Sequence, residues 1–61
     1  MQRLQTLPAN DGFRFVGVLR DGTHESCMVA TVPAYGRVHY RAHALDGTEI
    51  EADLIGWLPQ S

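Results

Sequence analysis

The chain has 61 residues, a formal net charge of −2 and a single cysteine, Cys27. A chain this short buries only about 60% of the surface its unfolded form exposes, and one cysteine rules out a disulfide-stapled scaffold. The mild negative charge argues against nonspecific nucleic-acid binding through a broadly basic face, and no stretch approaches the roughly 18 apolar residues of a membrane helix.

Met1 to Gly12 reads as an N-terminal arm anchored by Leu4 and Leu7, because Pro8 and the Asn10-Asp11-Gly12 cluster would end any helix quickly. Its first residues carry one Arg and no long apolar run, so it does not read as a secretory leader, and a cytoplasmic setting is expected. The first strand is predicted over Phe13–Leu19, with Phe13, Phe15 and Leu19 on one face and Gly17 as a bend or bulge. Arg14, Val16 and Val18 take the other face. Asp21-Gly22-Thr23 and Asp46-Gly47-Thr48 each lie between strand-forming runs, and Asp-Gly in that setting is the strongest short-range hairpin signal. A second strand follows from Thr23 to about Val32, stopping at Pro33, which cannot donate to a ladder. A loop through Ala34, Tyr35 and Gly36 leads to a third strand, Arg37–Ala44. A fourth is expected over Thr48–Ile55, and Gly56-Trp57-Leu58-Pro59 adds a short closing strand or lies across an open end of the sheet. The expectation is an all-β fold: one small domain over residues 1–61, with a single antiparallel sheet of four to five strands, as a meander or a small SH3-like barrel.

Pairing patterns sharpen the register. A three-residue loop Arg20-Asp21-Gly22 pairs Phe15 with Cys27 and Phe13 with Val29 on one face, and Arg14 with Met28, Val16 with Ser26 and Val18 with His24 on the other. That second face is more apolar than solvent requires, so either the Leu4/Leu7 arm and Trp57 cover part of it or it meets a partner. A three-residue loop Leu45-Asp46-Gly47 places His43 against Glu49, Arg41 against Glu51 and His39 against Asp53, with Val38, Tyr40 and Ala42 facing Leu54, Ala52 and Ile50. Only this register separates an apolar face from a charge-complementary one.

The side chains that could carry chemistry have structural readings. Cys27 sits in a β-rich run with no base near it in sequence, and reads as a small buried hydrophobe. His39 and His43 would lie about 13 Å apart on a strand, too far to share one zinc. No metal site and no cofactor are expected. Glu49, Glu51 and Asp53 line one face at period two, and with basic partners across the ladder they are structural before they are catalytic. No enzyme activity is expected. Tyr35 in the Pro33–Arg37 loop either folds its ring back over the sheet edge or stands exposed as a binding anchor with Arg37 beside it, since Tyr and Arg dominate binding hot spots; Glu49, Glu51 and Asp53 form the next candidate partner surface. Arg14, Arg20, Arg37 and Arg41, with Tyr35 and Tyr40, offer a nucleic-acid platform as the alternative.

The frame Leu7-Pro8…Asp11-Gly12-Phe13, then Asp21-Gly22, then Gly56-Trp57-Leu58-Pro59 resembles a class of short phage and prophage proteins of unknown function. The resemblance brings no catalytic residue. It implies a setting in which small stand-alone proteins act as inhibitors of host or defence proteins, anti-CRISPR proteins among them. The function expected is therefore a non-enzymatic protein-binding module, a phage-encoded inhibitor of a bacterial defence complex working in the host cytoplasm. Its partner would be a protein before a nucleic acid and not a membrane. The small core also admits a homo-oligomer.

Overall fold

The computed structural model describes residues 1–60. Four strands, β1 (Arg14–Leu19), β2 (His24–Ala34), β3 (Arg37–Ala44) and β4 (Leu54–Pro59), are joined by turns, with short 3₁₀ turns at Leu4–Thr6 and Glu51–Asp53. They form one open antiparallel sheet in the order β3-β2-β1-β4. Three strands meander and the fourth returns beside the first, which is the Greek-key arrangement.

Both Asp-Gly-Thr turns are built alike. The Gly22 N–H donates to Leu19 O and the Leu19 N–H to Thr23 O, both at 2.9 Å; Gly47 donates to Ala44 O at 2.9 Å and Ala44 to Thr48 O at 3.0 Å. Gly22 and Gly47 sit at φ +89° and +91°, the left-handed position of a three-residue loop closed by a G1 bulge. Asp21 Oδ1 accepts the Thr23 N–H and hydroxyl, and Asp46 Oδ1 accepts the Thr48 N–H. The first hairpin has the expected register, Phe15 opposite Cys27, Val16 opposite Ser26 and Val18 opposite His24.

The second departs from expectation just past its turn. No strand forms over Thr48–Ile55 against β3; the chain turns at Glu51–Asp53, and β4 pairs with β1, Gly17 opposite Trp57. An open sheet keeps two bare edges whichever strand β4 joins, so hydrogen bonding alone does not choose between the edge of β3 and that of β1. Pairing with β1 sets Trp57 edge-on against Phe13 (5.8 Å between centroids) and Phe15 (6.3 Å). Of the expected charge ladder, the Arg41–Glu51 contact alone is formed among the described residues.

β2 also runs past its expected stop, through Pro33 to Ala34. Ala34 pairs with Arg37 across a tight Tyr35-Gly36 turn, in place of a longer loop. Pro33 is tolerated because ladder alternation points its nitrogen away from β3, where no strand follows.

The core lies on one face of the sheet. Phe15, Cys27, Val29, Ala42, Leu54 and Trp57 are buried together, with Leu4, Leu7, Phe13, Leu19 and Ile50 packed on them. The arm covers this face and not the Val16 face, for which cover by the arm and Trp57 was one of the two alternatives. Gln2 exchanges backbone bonds with Trp57, and the Trp57 indole N–H donates to Arg3 O at 3.0 Å and Thr6 Oγ1 at 3.2 Å. Val16, Met28 and Leu58 on the other face stay half-buried. Gly17 is no bulge; the register shifts one step later, between Val18 and Leu19. Its missing Cβ makes room for Leu54 Cδ2 and Cys27 Sγ, which would lie 2.6 and 2.8 Å from it.

Candidate functional site: the projecting end of the β2–β3 hairpin

β1 pairs with β2 only as far as Arg14–Met28, whereas β2 and β3 stay paired out to Ala34–Arg37. Past Met28 the residues before β1 hold β2, Gly12 and Phe13 through backbone bonds to Val29 and Asp11 through its bond to Thr31, so the hairpin projects from Thr31 and Tyr40 outward, and the molecule measures 35 × 19 × 18 Å. At its tip Tyr35 is fully exposed, at φ +53°, with Gly36 at +70°. Positive φ at both central residues is the two-residue hairpin turn whose twist matches the strands.

The two faces of this finger differ. Ala42 and Ala44 are buried in the core, so Tyr40 and Val38, at period two from them, extend the core face beyond its cover, 47% and 56% exposed. Arg37, His39, Arg41 and His43 line the opposite face. Tyr40 and the arginines thus point to opposite sides and do not make the joint stacking platform considered from sequence.

Of the partner-binding candidates, Tyr35 and Arg37 come together at the tip. Glu49, Glu51 and Asp53 do not line one strand face. Glu51 turns to β3, where its Oε2 accepts Arg41 Nε–H at 2.9 Å and the Ala42 N–H at 3.1 Å. That carboxylate, with Glu49 adding charge from farther off, strengthens the hold of Arg41 on its proton. Asp53 sits beside the β1–β2 turn, its carbonyl accepting the Arg20 N–H at 2.8 Å. The basic set is dispersed as well: Arg20, bonded to Ala52 O at 3.2 Å, and Arg37 stand at opposite ends of β2. Cys27 is buried with its thiol directed at Glu25 O, 3.3 Å away, and burial pushes its pKa up. Among the described residues no three His, Cys, Asp or Glu side chains gather at metal-binding distance, and no helix is long and apolar enough to cross a membrane.

Sequence reasoning missed how the strand edges are finished. Beyond β1, the side of β2 that faces away from β3 is closed by Asp11, whose Oδ1 accepts the Thr31 N–H at 2.9 Å, and by Pro33, which has no N–H. The outer edge of β4 is closed by the Gln2 bridge and by Pro59. On β3 the outward N–H groups of Ala44 and Ala42 are taken by Thr48 O and Glu51. Edge-blocking by a proline or a carboxylate is a recognised protective device, but which proline faces an open edge depends on strand order, which local pattern does not reveal.

Comparison with protein-family models, with curated proteins and with solved structures finds no match.

Proposed function

We propose that this chain is a non-enzymatic protein-binding module, a phage-encoded inhibitor of a bacterial defence complex of the anti-CRISPR-like kind, acting in the host cytoplasm through the tip of its β2–β3 hairpin. The observation that carries the reading is Tyr35. A non-glycine residue in the left-handed region costs about 1–2 kcal/mol, a cost that Gly would avoid and Asn would lessen. The ring recovers none of it inside the molecule, being wholly exposed. Strain is often stored at functional sites and exposed aromatics anchor interfaces, which supports reading Tyr35 as a recognition residue. The carboxylates support the same reading, since Asp21, Asp46 and Glu51 are occupied in turns and in an edge contact. The phage setting rests on the resemblance of the Leu-Pro…Asp-Gly…Gly-Trp-Leu-Pro frame.

The module reading is tested by retention of a host protein on the immobilised chain and on the Tyr35→Ala/Arg37→Ala variant. A specific band lost in the variant, at an unchanged thermal midpoint, supports it; a band held equally by both places the interface elsewhere. The defence setting is tested by plasmid interference in a bacterium with an active CRISPR system, where expression of the chain should relieve interference. A second reading, a nucleic-acid-binding module using Arg14, Arg20, Arg37 and Arg41, is favoured by the Arg37–His39–Arg41–His43 stripe. Affinity for an oligonucleotide that falls steeply with salt would select it.

A further inference from the structure

The edges of the sheet are closed in several places, but among the described residues the half of the β3 edge nearer the tip is not. In β3 the N–H groups of Ala42 and Ala44 point outward, as their bonds to Glu51 and Thr48 show. Antiparallel alternation then points the N–H and C=O of Tyr40 and Val38 outward too, where among the described residues nothing receives them. This open stretch lies on the projecting finger, between the Glu51 block and the tip. Tyr40 and Val38 offer exposed apolar surface on one face of it, and Arg37, His39 and Arg41 offer basic groups on the other. An open, flat edge with these properties accepts a further strand.

The flanking charges choose between occupants. A second copy is disfavoured: any antiparallel register that pairs the outward Val38 and Tyr40 with those of another β3 sets the basic stripe against itself. With Val38 opposite Tyr40, for example, Arg37 faces Arg41. Like charges directly opposite are destabilising. Arg41 is engaged by Glu51, whereas Arg37 has no ion-pair partner among the described residues. A nucleic acid could meet the basic stripe but would leave the backbone donors and acceptors of Val38 and Tyr40 unused.

We propose that the β3 edge at Val38–Tyr40 docks an extended segment of a partner protein whose side chains alternate between acidic and apolar. Its backbone pairs with Val38 and Tyr40, its acidic side chains meet Arg37 and His39, and its apolar side chains lie beside Tyr40. There a shallow groove between the arm and the sheet is lined by Leu7, Pro8, Val29 and Leu54. This deepens the protein-binding reading and rests on it.

The test is amide hydrogen exchange by NMR on the intact chain, with a short peptide of alternating Glu and Val as probe and its Lys/Val counterpart as control. Saturating Glu/Val peptide should slow exchange at the Val38 and Tyr40 amides, and the Lys/Val peptide should bind more weakly. Tyr40→Pro removes one outward N–H without breaking a native bond. It should lower affinity by about five- to tenfold, roughly one backbone hydrogen bond, while Tyr40→Phe binds like the parent. If Tyr40→Pro does not fold, the exchange measurement on the parent decides alone. Absence of binding, equal affinity for both peptides, or saturation without protection at Val38 and Tyr40 overturns the proposal. So does protection that appears with protein concentration alone, which selects a second copy, or with an oligonucleotide in place of the peptide. Should the Tyr35→Ala/Arg37→Ala variant lose its host protein while the edge amides stay unprotected, the protein-binding reading stands and the edge proposal falls.

Discussion

Glu51 reaches Arg41 at the outer edge of β3, its Oε2 2.9 Å from Nε, and the same oxygen accepts the neighbouring Ala42 N–H at 3.1 Å. The pair is exposed on both sides, and an exposed pair is worth about 0–1 kcal/mol. Its larger consequence is geometric: one carboxylate ends the stretch of β3 that another strand could reach.

Removing that block should lengthen the open edge. Glu51→Ala frees the Ala42 N–H and is expected to cost about 1 kcal/mol and to extend the amide protection given by the Glu/Val peptide from Val38 and Tyr40 to Ala42. Glu51→Gln keeps an acceptor and should stay closer to the parent. If the Ala42 amide of Glu51→Ala gains no protection with the peptide bound, the carboxylate does not guard the edge.

Gly17 is a tight point of the core. A Cβ there meets Leu54 and Cys27 inside normal contact distance, so Gly17→Ala should destabilise by about 1–3 kcal/mol, the usual range for an overpacked core. Urea unfolding measures it. Pairing it with Cys27→Ala should recover part of the loss by emptying the space Sγ occupies; a Gly17→Ala protein as stable as the parent would contradict the packing described.

Trp57 holds the arm by its indole N–H as well as by its area. Trp57→Phe keeps a ring against Phe13 and Phe15 but drops the bonds to Arg3 O and Thr6 Oγ1. A loss of about 1–2 kcal/mol is expected, with faster amide exchange at Gln2 and Leu7 and little change at Val29. Uniform acceleration across the sheet would mean that the arm and the sheet unfold as one unit.

The Asp turns make stability sensitive to acid. Bonds from the Thr23 hydroxyl and N–H hold the Asp21 carboxyl below its ordinary 3.8, and bonds from Thr48 hold Asp46 below the same value. A carboxyl with a depressed folded pKa stabilises fully above its unfolded value and loses that contribution as pH falls through the folded one. The parent's thermal midpoint should therefore drop as pH falls below about 4, and more steeply than that of the Asp21→Asn/Asp46→Asn variant, whose amides accept the same bonds without titrating. Parallel curves would show that the turns do not contribute to the acid limb.

The local features of this protein were legible in its residues. Asp-Gly-Thr specifies its turn through one left-handed glycine and one Asp-to-Thr bond, all within three positions, so the β1–β2 register and both three-residue loops followed from the sequence alone. Phe15, Cys27 and Val29 as core followed from the same register. Long-range choices did not. The alternation of Glu49, Glu51 and Asp53 with Ile50, Ala52 and Leu54 reads as a strand, yet the chain turns there, because Leu54 has a core to enter and Trp57 an aromatic pair to meet. Neither demand is visible within a few residues of Thr48. The side to which Pro33 points, the face the arm covers and the stretch of the β3 edge left open all depend on strand order. Tertiary structure alone decided these, since hydrogen-bond satisfaction and burial are properties of the assembled sheet.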